Sequence, residues 1–314
     1  MAEIATGVQC CAAMSRRNVA RHHRRVRLTT AVGTRLISTV PFFEEELRLL
    51  PALVPPGGTC VDVGAAHGIY TVAMAAAVGP TGRVLSFEPQ PLPRRVASTL
   101  ARALGLHDVV ELQRIALGDR TAEDVMVVPY RGRMPVTGRA FVPGGLGGLG
   151  GPGVLGSGGA ANGGTRNGGT RNGTGSMRPW LPPAREADEG FTGSRSFPVQ
   201  VRPLDALAPA LQLERLDLVK IDVEGAELRT LAGAEQTLEL FRPTLIVEIE
   251  ARHTARYGHA AEAVFEWLTT RGYRAVAYDG RLLRDIDGVV DGVRNYVFVD
   301  NLSCRGRLRA LPQP

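Results

Sequence analysis

The chain has few aromatic residues, 5% of its length, and only four cysteines. Cys10 and Cys11 are adjacent, Cys60 lies in an apolar run, and Cys304 is near the end. None has the spacing of a metal site or of a disulfide framework, so no metal is expected and a reducing, cytoplasmic location fits best. No run approaches the ~18 apolar residues of a membrane span. Arg16, Arg17, Arg21, Arg24, Arg25 and Arg27 are not followed by an apolar h-region, so they do not mark a secretory signal. Lysine is missing from this arginine-rich segment, and arginine prevails over lysine along the whole chain, which reads as compositional bias. The phosphate-cradling pattern G-x-x-x-x-G-K-[ST] is also absent.

What is present suffices for a sizeable core. Hydrophobic residues make up 44% of 314 residues, enough for one large domain or two small ones. The net charge of +6 raises nucleic acid or an anionic surface as a partner. Much of the excess sits in the N-terminal cluster and in scattered arginines, which disfavours nucleic acid. Residues 1–40 read as a basic, disordered segment. Residues 41–314 read as one domain, interrupted at about 142–190 by a low-complexity insert rich in Gly. Such a stretch buries too little apolar surface to offset its ordering entropy, so a disordered surface insertion is expected.

The most informative stretch is Thr59–Ala77 with Ser86–Gln90. A β-branched run, Val61 and Val63, ends at Gly64, and an Ala-rich segment begins near Gly68. That is strand, turn and helix, and a second strand, Arg83–Phe87, closes on Glu88. In open parallel sheets ligands sit beyond the carboxyl ends of the strands, where an acid can hold ribose hydroxyls. The glycine spacing is Gly64-x-x-x-Gly68, with Ala66 where the G-x-G-x-x-G fingerprint has its middle glycine. A bound pyrophosphate, and hence an NAD-dependent oxidoreductase, is disfavoured.

Further elements follow in order. Pro41–Val54 reads as a short helix with glutamates in its first turn, where the helix dipole favours them. Helices are expected over Gly68–Val78, Pro91–Leu104, Ala226–Leu240 and Ala260–Arg271. Strands are expected over Val109–Leu112, Glu123–Val128, Phe197–Val201, Leu216–Val223, Thr244–Ile249, Tyr273–Tyr278 and Tyr296–Val299. Arg114–Asp119 reads as a loop. Glu123–Val128 and Phe197–Val201 form a hairpin whose tip carries the insert. Alternating strands and helices, with buried-type strands, predict an α/β fold with a doubly wound, mostly parallel sheet.

The second informative block is Lys220–Glu227. A buried strand delivers Asp222 and Glu224 at its carboxyl end, on one face if the strand continues. Gly225 then turns the chain into a helix. The plain alternative is that Glu224 or Glu227 merely caps that helix; it accounts less well for Asp222. His253 follows the strand Thr244–Ile249 on the same side of the sheet, with Glu248 and Glu250 beside it. Tyr70 and Trp267 read as packing residues.

Taken together, Val61–Ala65, Phe87–Pro89, Ala116–Asp119, Val201 with Leu204-Asp205, Asp217–Glu227 and Leu245–Glu250 resemble the FkbM family of S-adenosylmethionine-dependent methyltransferases. The resemblance covers about Cys60–Glu250 apart from the insert, and extends more weakly to Val299. One departure is Ala66, which stands where the family commonly has Asn. The resemblance implies a class I methyltransferase sheet, Rossmann-like, with one antiparallel strand near its end. It implies S-adenosyl-L-methionine as cofactor, held by Asp62, Gly64, Ala65, His67, Gly68, Glu88, Ala116, Asp119 and Asp222. It places Asp222 and Glu224 nearest the methyl group, and His253 joins them as a candidate catalytic residue. The partner it implies is a small-molecule or glycan acceptor with a free hydroxyl, O-methylated on a sugar or natural product. Alternatives are a catalytically inactive binding module of the same fold and a nucleic-acid methyltransferase. The latter lacks an Asn-Pro-Pro-Tyr or Asp-Pro-Pro-Tyr block.

Overall fold

A computed structural model of the chain describes residues 44–143, 191–278 and 283–300. The readings for the N-terminal segment 1–40, and for the insert beyond residue 143, lie outside these residues.

Eight strands form one sheet in the order β11-β10-β12-β9-β8-β1-β2-β3. Their ranges are β1 Thr59–Val63, β2 Arg83–Phe87, β3 Val110–Gln113, β8 Leu218–Ile221, β9 Thr244–Glu248, β10 Tyr273–Tyr278, β11 Leu283–Ile286 and β12 Asn295–Asp300. The run β3-β2-β1-β8-β9 is parallel throughout. β12 is antiparallel to both β9 and β10, and β11 is antiparallel to β10. The chain moves outward from β1 to β2 and β3, then returns to lay β8 on the other side of β1. The strand order therefore reverses between β1 and β8, and a crevice opens at their carboxyl ends.

Both faces of the sheet are covered, as side-chain alternation requires. Cys60, Val84, Leu218, Ile246 and Val297 face one core. That core is closed by the helices α1 Leu50–Leu53, α2 Ile69–Val78 and α3 Pro91–Ala103. Val61, Val63, Leu85, Phe87, Ile221 and Leu245 face the other. It is closed mainly by α4 Leu204–Leu207, α5 Glu227–Ala232, α6 Glu235–Phe241 and α8 Ala261–Thr269. The short α7 spans Ala251–Thr254. α3 starts with Pro at its first position and is followed by Gly105 at φ +70°, the punctuation read from the sequence.

A second sheet, β4-β7-β5-β6, stands over the crevice. Its spine is the antiparallel pair β5 Ala122–Arg131 and β7 Gly193–Arg202, in register from Ala122↔Val201 to Tyr130↔Gly193. The expected hairpin is present and longer than read. Beyond β5 the chain turns through β6, Met134–Pro135, and folds back so that Phe141 bridges Val127. This returning segment was not foreseen, because it has neither helical nor strand periodicity.

Three other expectations change. Arg114–Asp119 is not simply a loop, since Ala116–Leu117 forms β4 and pairs with Val201 and Arg202. The helix expected over Ala226–Leu240 is two helices, α5 and α6. It breaks at Gly233, where a Cβ would lie 1.9 Å from the Gly118 carbonyl oxygen. The strand expected to run to Val223 stops at Ile221. Glu224 lies in a turn at φ +56°, so the same-face argument for Asp222 and Glu224 fails.

Gly64 explains how the two central strand ends come together. Its φ is +78°, and a Cβ there would sit 1.8 Å from the Asp222 carbonyl oxygen. Gly79 also has positive φ, +70°, but has open space around it. Gly79→Ala should therefore cost about 1 kcal/mol, the left-handed penalty alone. Gly64→Ala should cost about 2 kcal/mol beyond that, through strain and clash. Equal costs in denaturant unfolding would contradict the close-approach account.

Candidate functional site

The loop after β1 is built for closeness to β2. The amides of Gly64 and Ala65 both donate to the Phe87 carbonyl oxygen, at 3.0 and 3.2 Å. The Ala66 amide donates to Glu88 Oε2 at 2.8 Å. Ala66 sits at φ +46°, a conformation that Asn tolerates better than Ala. Gly68 presses on α3: a Cβ there would lie 2.8 Å from Ala97 Cβ. Ala65 is buried, and His67 is exposed and outside the pocket wall. The reading of His67 as a pocket residue is therefore not supported by its placement.

One pocket opens above these strand ends. Its floor is Val63, Gly64, Ala66, Glu88, Gln90, Asp222 and Glu224, with Ile115–Gly118 along one side. Its roof comes from the second sheet, through Met126, Val201 and the returning segment with Phe141 and Val142. The space between, counted out to its open mouth, is about 890 Å³. The roof is tied down by the floor. Gln90 Nε2 donates to the Thr137 carbonyl at 3.0 Å, and Tyr257 Oη donates to the Val142 carbonyl at 2.8 Å. Arg256 stacks over the Phe141 ring at 4.0 Å.

Glu88 and Gln90 line the pocket beside β2. Glu88 is 2% exposed and already accepts two amides, from Ala66 to Oε2 and from Gln90 to Oε1. Gln90 is 7% exposed, and its Oε1 is buried with no hydrogen-bond partner among the described residues. A buried acceptor left in that state is costly unless a ligand donates to it.

Asp222 and Glu224 line the pocket beyond β8. The Asp222 amide donates to the Val63 carbonyl at 3.0 Å, completing the junction with β1. Glu227 accepts from the amides of Gly225 at 3.0 Å and Val223 at 3.4 Å, so it is the member of the block that shapes the turn. Gly225, at φ +105°, lets the turn approach α7; a Cβ would lie 2.4 Å from the His253 carbonyl oxygen. That contact sets Glu224 Oε2 at 3.0 Å from His253 Nε2. The same Nε2 faces Arg139 Nη1 of the roof at 2.5 Å. His253 is buried and absent from the pocket wall, so it braces Glu224 rather than facing a ligand. Glu224, Glu248 and His253 bring ligand-type atoms within 4.8 Å of one another, the described group with metal-like spacing. The Arg139 guanidinium stands against that group's imidazole.

Asp62 and Asp119 face elsewhere. Asp62 is buried and accepts from Thr71 Oγ1 at 2.5 Å, which in turn meets Ser86 Oγ at 2.6 Å. It fastens α2 to β1 beneath the loop. Asp119 pairs with Arg229 at 2.8 Å, and Arg229 supplies the pocket wall. Asp205, part of the resemblance, caps α6 by accepting the amides of Gln236 and Thr237.

Burial makes this group of acids reluctant to ionise. Burial, reinforced by the Asp222 charge, pushes Glu224 up to about 8 and Glu248 up to about 9. Burial also raises Glu88 to about 7, Glu227 to about 7 and Asp62 to about 6. Asp222 goes the other way. Burial opposes its charge, but Lys220 and a hydrogen bond from Glu248 outweigh burial and hold it below the usual range. The shared proton of that pair belongs to Glu248, because Asp222 is the one beside Lys220. His253 is depressed to about 4, by burial and by Arg139, Arg252 and Arg256.

These shifts fix a pH dependence. Carboxyls with raised pKa values hold protons in the folded state that the unfolded chain has released, so they destabilise the fold as pH rises through the folded values. His253 acts oppositely, but only between about 4 and 6.5. The ligand-free protein should thus melt at a lower temperature at pH 9 than at pH 6.5. Glu248→Gln should shrink that difference, and an unchanged difference in scanning calorimetry would contradict the assignment.

Sequence reasoning missed Gln90, Arg139, Arg229 and Tyr257. Gln90 follows Glu88 by two positions, a signal available in the sequence; the others reach the site only through the fold. Over 236 residues, 75% of its length, the chain is 25% identical to the AMB antimetabolite synthetase AmbE of Pseudomonas aeruginosa, and spans 10% of that protein's length. An FkbM methyltransferase of Methylobacillus flagellatus overlays with a TM-score of 0.41 at 12% identity, covering 86% of this chain and 58% of that one. An O-methyltransferase of Bacillus cereus, solved in complex with SAH, overlays with a TM-score of 0.41 at 12% identity, covering 93% and 94%. These overlays add nothing to the family assignment, which rests on sequence: the pattern of the methyltransferase FkbM domain matches residues 62–275. The chain belongs to the FkbM methyltransferase family.

Proposed function

We propose that this pocket holds S-adenosyl-L-methionine, and that the protein transfers the cofactor's methyl group to a hydroxyl oxygen of a sugar or other natural product. The observation that carries the reading is the meeting of Glu88 and Asp222 in one wall, joined through Gly64 at the strand-order reversal. The residues present fit the group. Glu88 retains acceptor capacity toward ribose hydroxyls beyond its two amide contacts, and Gln90 Oε1 offers a buried acceptor. Ile115, Met126 and Phe141 give apolar walls suited to a purine ring. Asp222 contributes a negative charge to the pocket wall, the sign that would favour a sulfonium. The structures of the Bacillus cereus enzyme with SAH, and of TomG from Streptomyces achromogenes with SAM, are in keeping with this choice of ligand.

When bound, the cofactor supplies an electrophilic methyl carbon on a positively charged sulfur. The chain contributes alignment and a proton acceptor. Holding acceptor and donor in line supplies roughly 7–11 kcal/mol of barrier lowering. Glu224 is the group we assign as general base. It lines the pocket, and a carboxylate with a pKa of about 8 is a stronger base than an ordinary one. In that role Glu224 would accept the hydroxyl proton lost on methylation. His253 Nε2 meets Arg139 Nη1 and packs 3.0 Å from Glu224 Oε2, so we assign it to positioning the base.

Methyl transfer from labelled cofactor into a panel of hydroxylated acceptors tests the reading. With an acceptor found, Glu224→Gln should lower kcat by about 10²–10⁴-fold while leaving cofactor affinity near the wild-type value. The rate should rise with pH through about 8, where Glu224 ionises. Full activity of Glu224→Gln would remove Glu224 as the base. Glu88→Ala should weaken cofactor binding at least tenfold without unfolding the chain, and unchanged affinity would remove the ribose role.

A further inference from the structure

The sequence contains a single lysine, Lys220, against an otherwise wholly arginine complement of side-chain cations. That one lysine is 1% exposed. Lysine is almost never fully buried unless paired. Here the pairing is specific: Nζ lies 3.3 Å from Asp222 Oδ2 and 3.2 Å from Asn295 Oδ1, and 4.9 Å from the centre of the Tyr70 ring. Asn295 is fixed in turn, since its Nδ2 donates to Glu44 Oε2 at 3.1 Å, and Tyr70 Oη donates to the same oxygen at 2.6 Å.

The location matters as much as the partners. Lys220 faces the same side of the sheet as Leu218, in register with Asp62 on β1. Glu248 and Asn295 are paired across β9 and β12 on that side. A polar row thus crosses four neighbouring strands at the carboxyl edge, above an apolar core. Lys220 is outside the pocket wall; Asp222, 31% exposed, is in it. The cation sits behind the carboxylate and the pocket in front. Arginine would carry the same charge, but its wide planar fork suits bidentate partners, whereas lysine is a compact point charge on a flexible stem. A slot bounded by one carboxylate oxygen, one amide oxygen and a ring face matches the latter.

We propose that Lys220 is a positioning residue that holds Asp222 charged and aimed into the pocket, so that the site favours the sulfonium form of the cofactor over its neutral thioether product. Resting on the cofactor reading above, this gives that site a means of distinguishing what it takes in from what it must release. The two ligands differ by a methyl group and a positive charge at sulfur, and Asp222 senses the charge.

The test is calorimetric titration of wild type, Lys220→Met and Asn295→Leu with S-adenosylmethionine and with S-adenosylhomocysteine. In Lys220→Met the affinity ratio, sulfonium over thioether, should fall about tenfold or more relative to wild type. Asn295→Leu, which keeps the charge and removes one of its two oxygen anchors, should move the ratio the same way by less. A loss of packing alone would weaken both ligands equally, and that result would overturn the proposal. Wild-type protein that binds neither ligand would instead sink the cofactor reading itself. Should the variants not fold, wild-type protein labelled with ¹⁵N at lysine Nζ gives one side-chain resonance. It should shift with the sulfonium ligand and much less with the thioether; equal shifts would overturn the proposal.

Discussion

The structure depends on one close approach, that of the β1 end to the β8 end. Without a side chain at Gly64, the Asp222 carbonyl packs against the backbone of the first loop, and the Asp222 amide reaches Val63. Glu88 then arrives from β2 and takes the Ala66 amide. Any bulk at residue 64 would separate the carboxylates that make the pocket. The glycines in this motif act less by admitting a ligand's phosphate than by letting two pieces of backbone touch. Gly225 repeats the device one layer out, seating Glu224 against His253.

That convergence sets an electrostatic problem. Asp62, Glu88, Asp222, Glu224 and Glu248 crowd one end of the sheet in a chain whose net charge is +6. Repulsion and burial drive protons onto most of them, and Glu224, Glu88 and Glu248 all titrate near or above neutrality. Asp222 is the exception, because the buried ammonium of Lys220 stands beside it. The site therefore contains one fixed negative charge and several carboxyls able to exchange protons. A cationic ligand suits the first, and proton transfer from an acceptor hydroxyl suits the second.

Much of the frame was legible in the sequence, because buried parallel strands are short β-branched runs and their ends carry glycines and acids. The expected strands over Thr59–Val63 and Arg83–Phe87 coincide with β1 and β2. The expected β5–β7 hairpin is present too. Less legible was whatever depends on distant contacts. Arg139 has no motif around it, and only the fold of the second sheet carries it to His253. β8 stops two residues before the sequence pattern does, since the Asp222 amide is drawn to β1 and Glu224 turns left-handed. His67 sat in the right motif but points to solvent, because the turn that buries Ala65 and Gly68 leaves it outside. Lysine scarcity read as a compositional bias, and only its burial gives the one exception a meaning.

The most direct test of the central claim, that this pocket is built for an S-adenosyl nucleoside cofactor, is calorimetric titration with S-adenosylhomocysteine and with NAD as the control. The account predicts micromolar, one-to-one binding of the first and no heat from the second. Absence of S-adenosylhomocysteine binding by folded protein, or comparable binding of NAD, would contradict it.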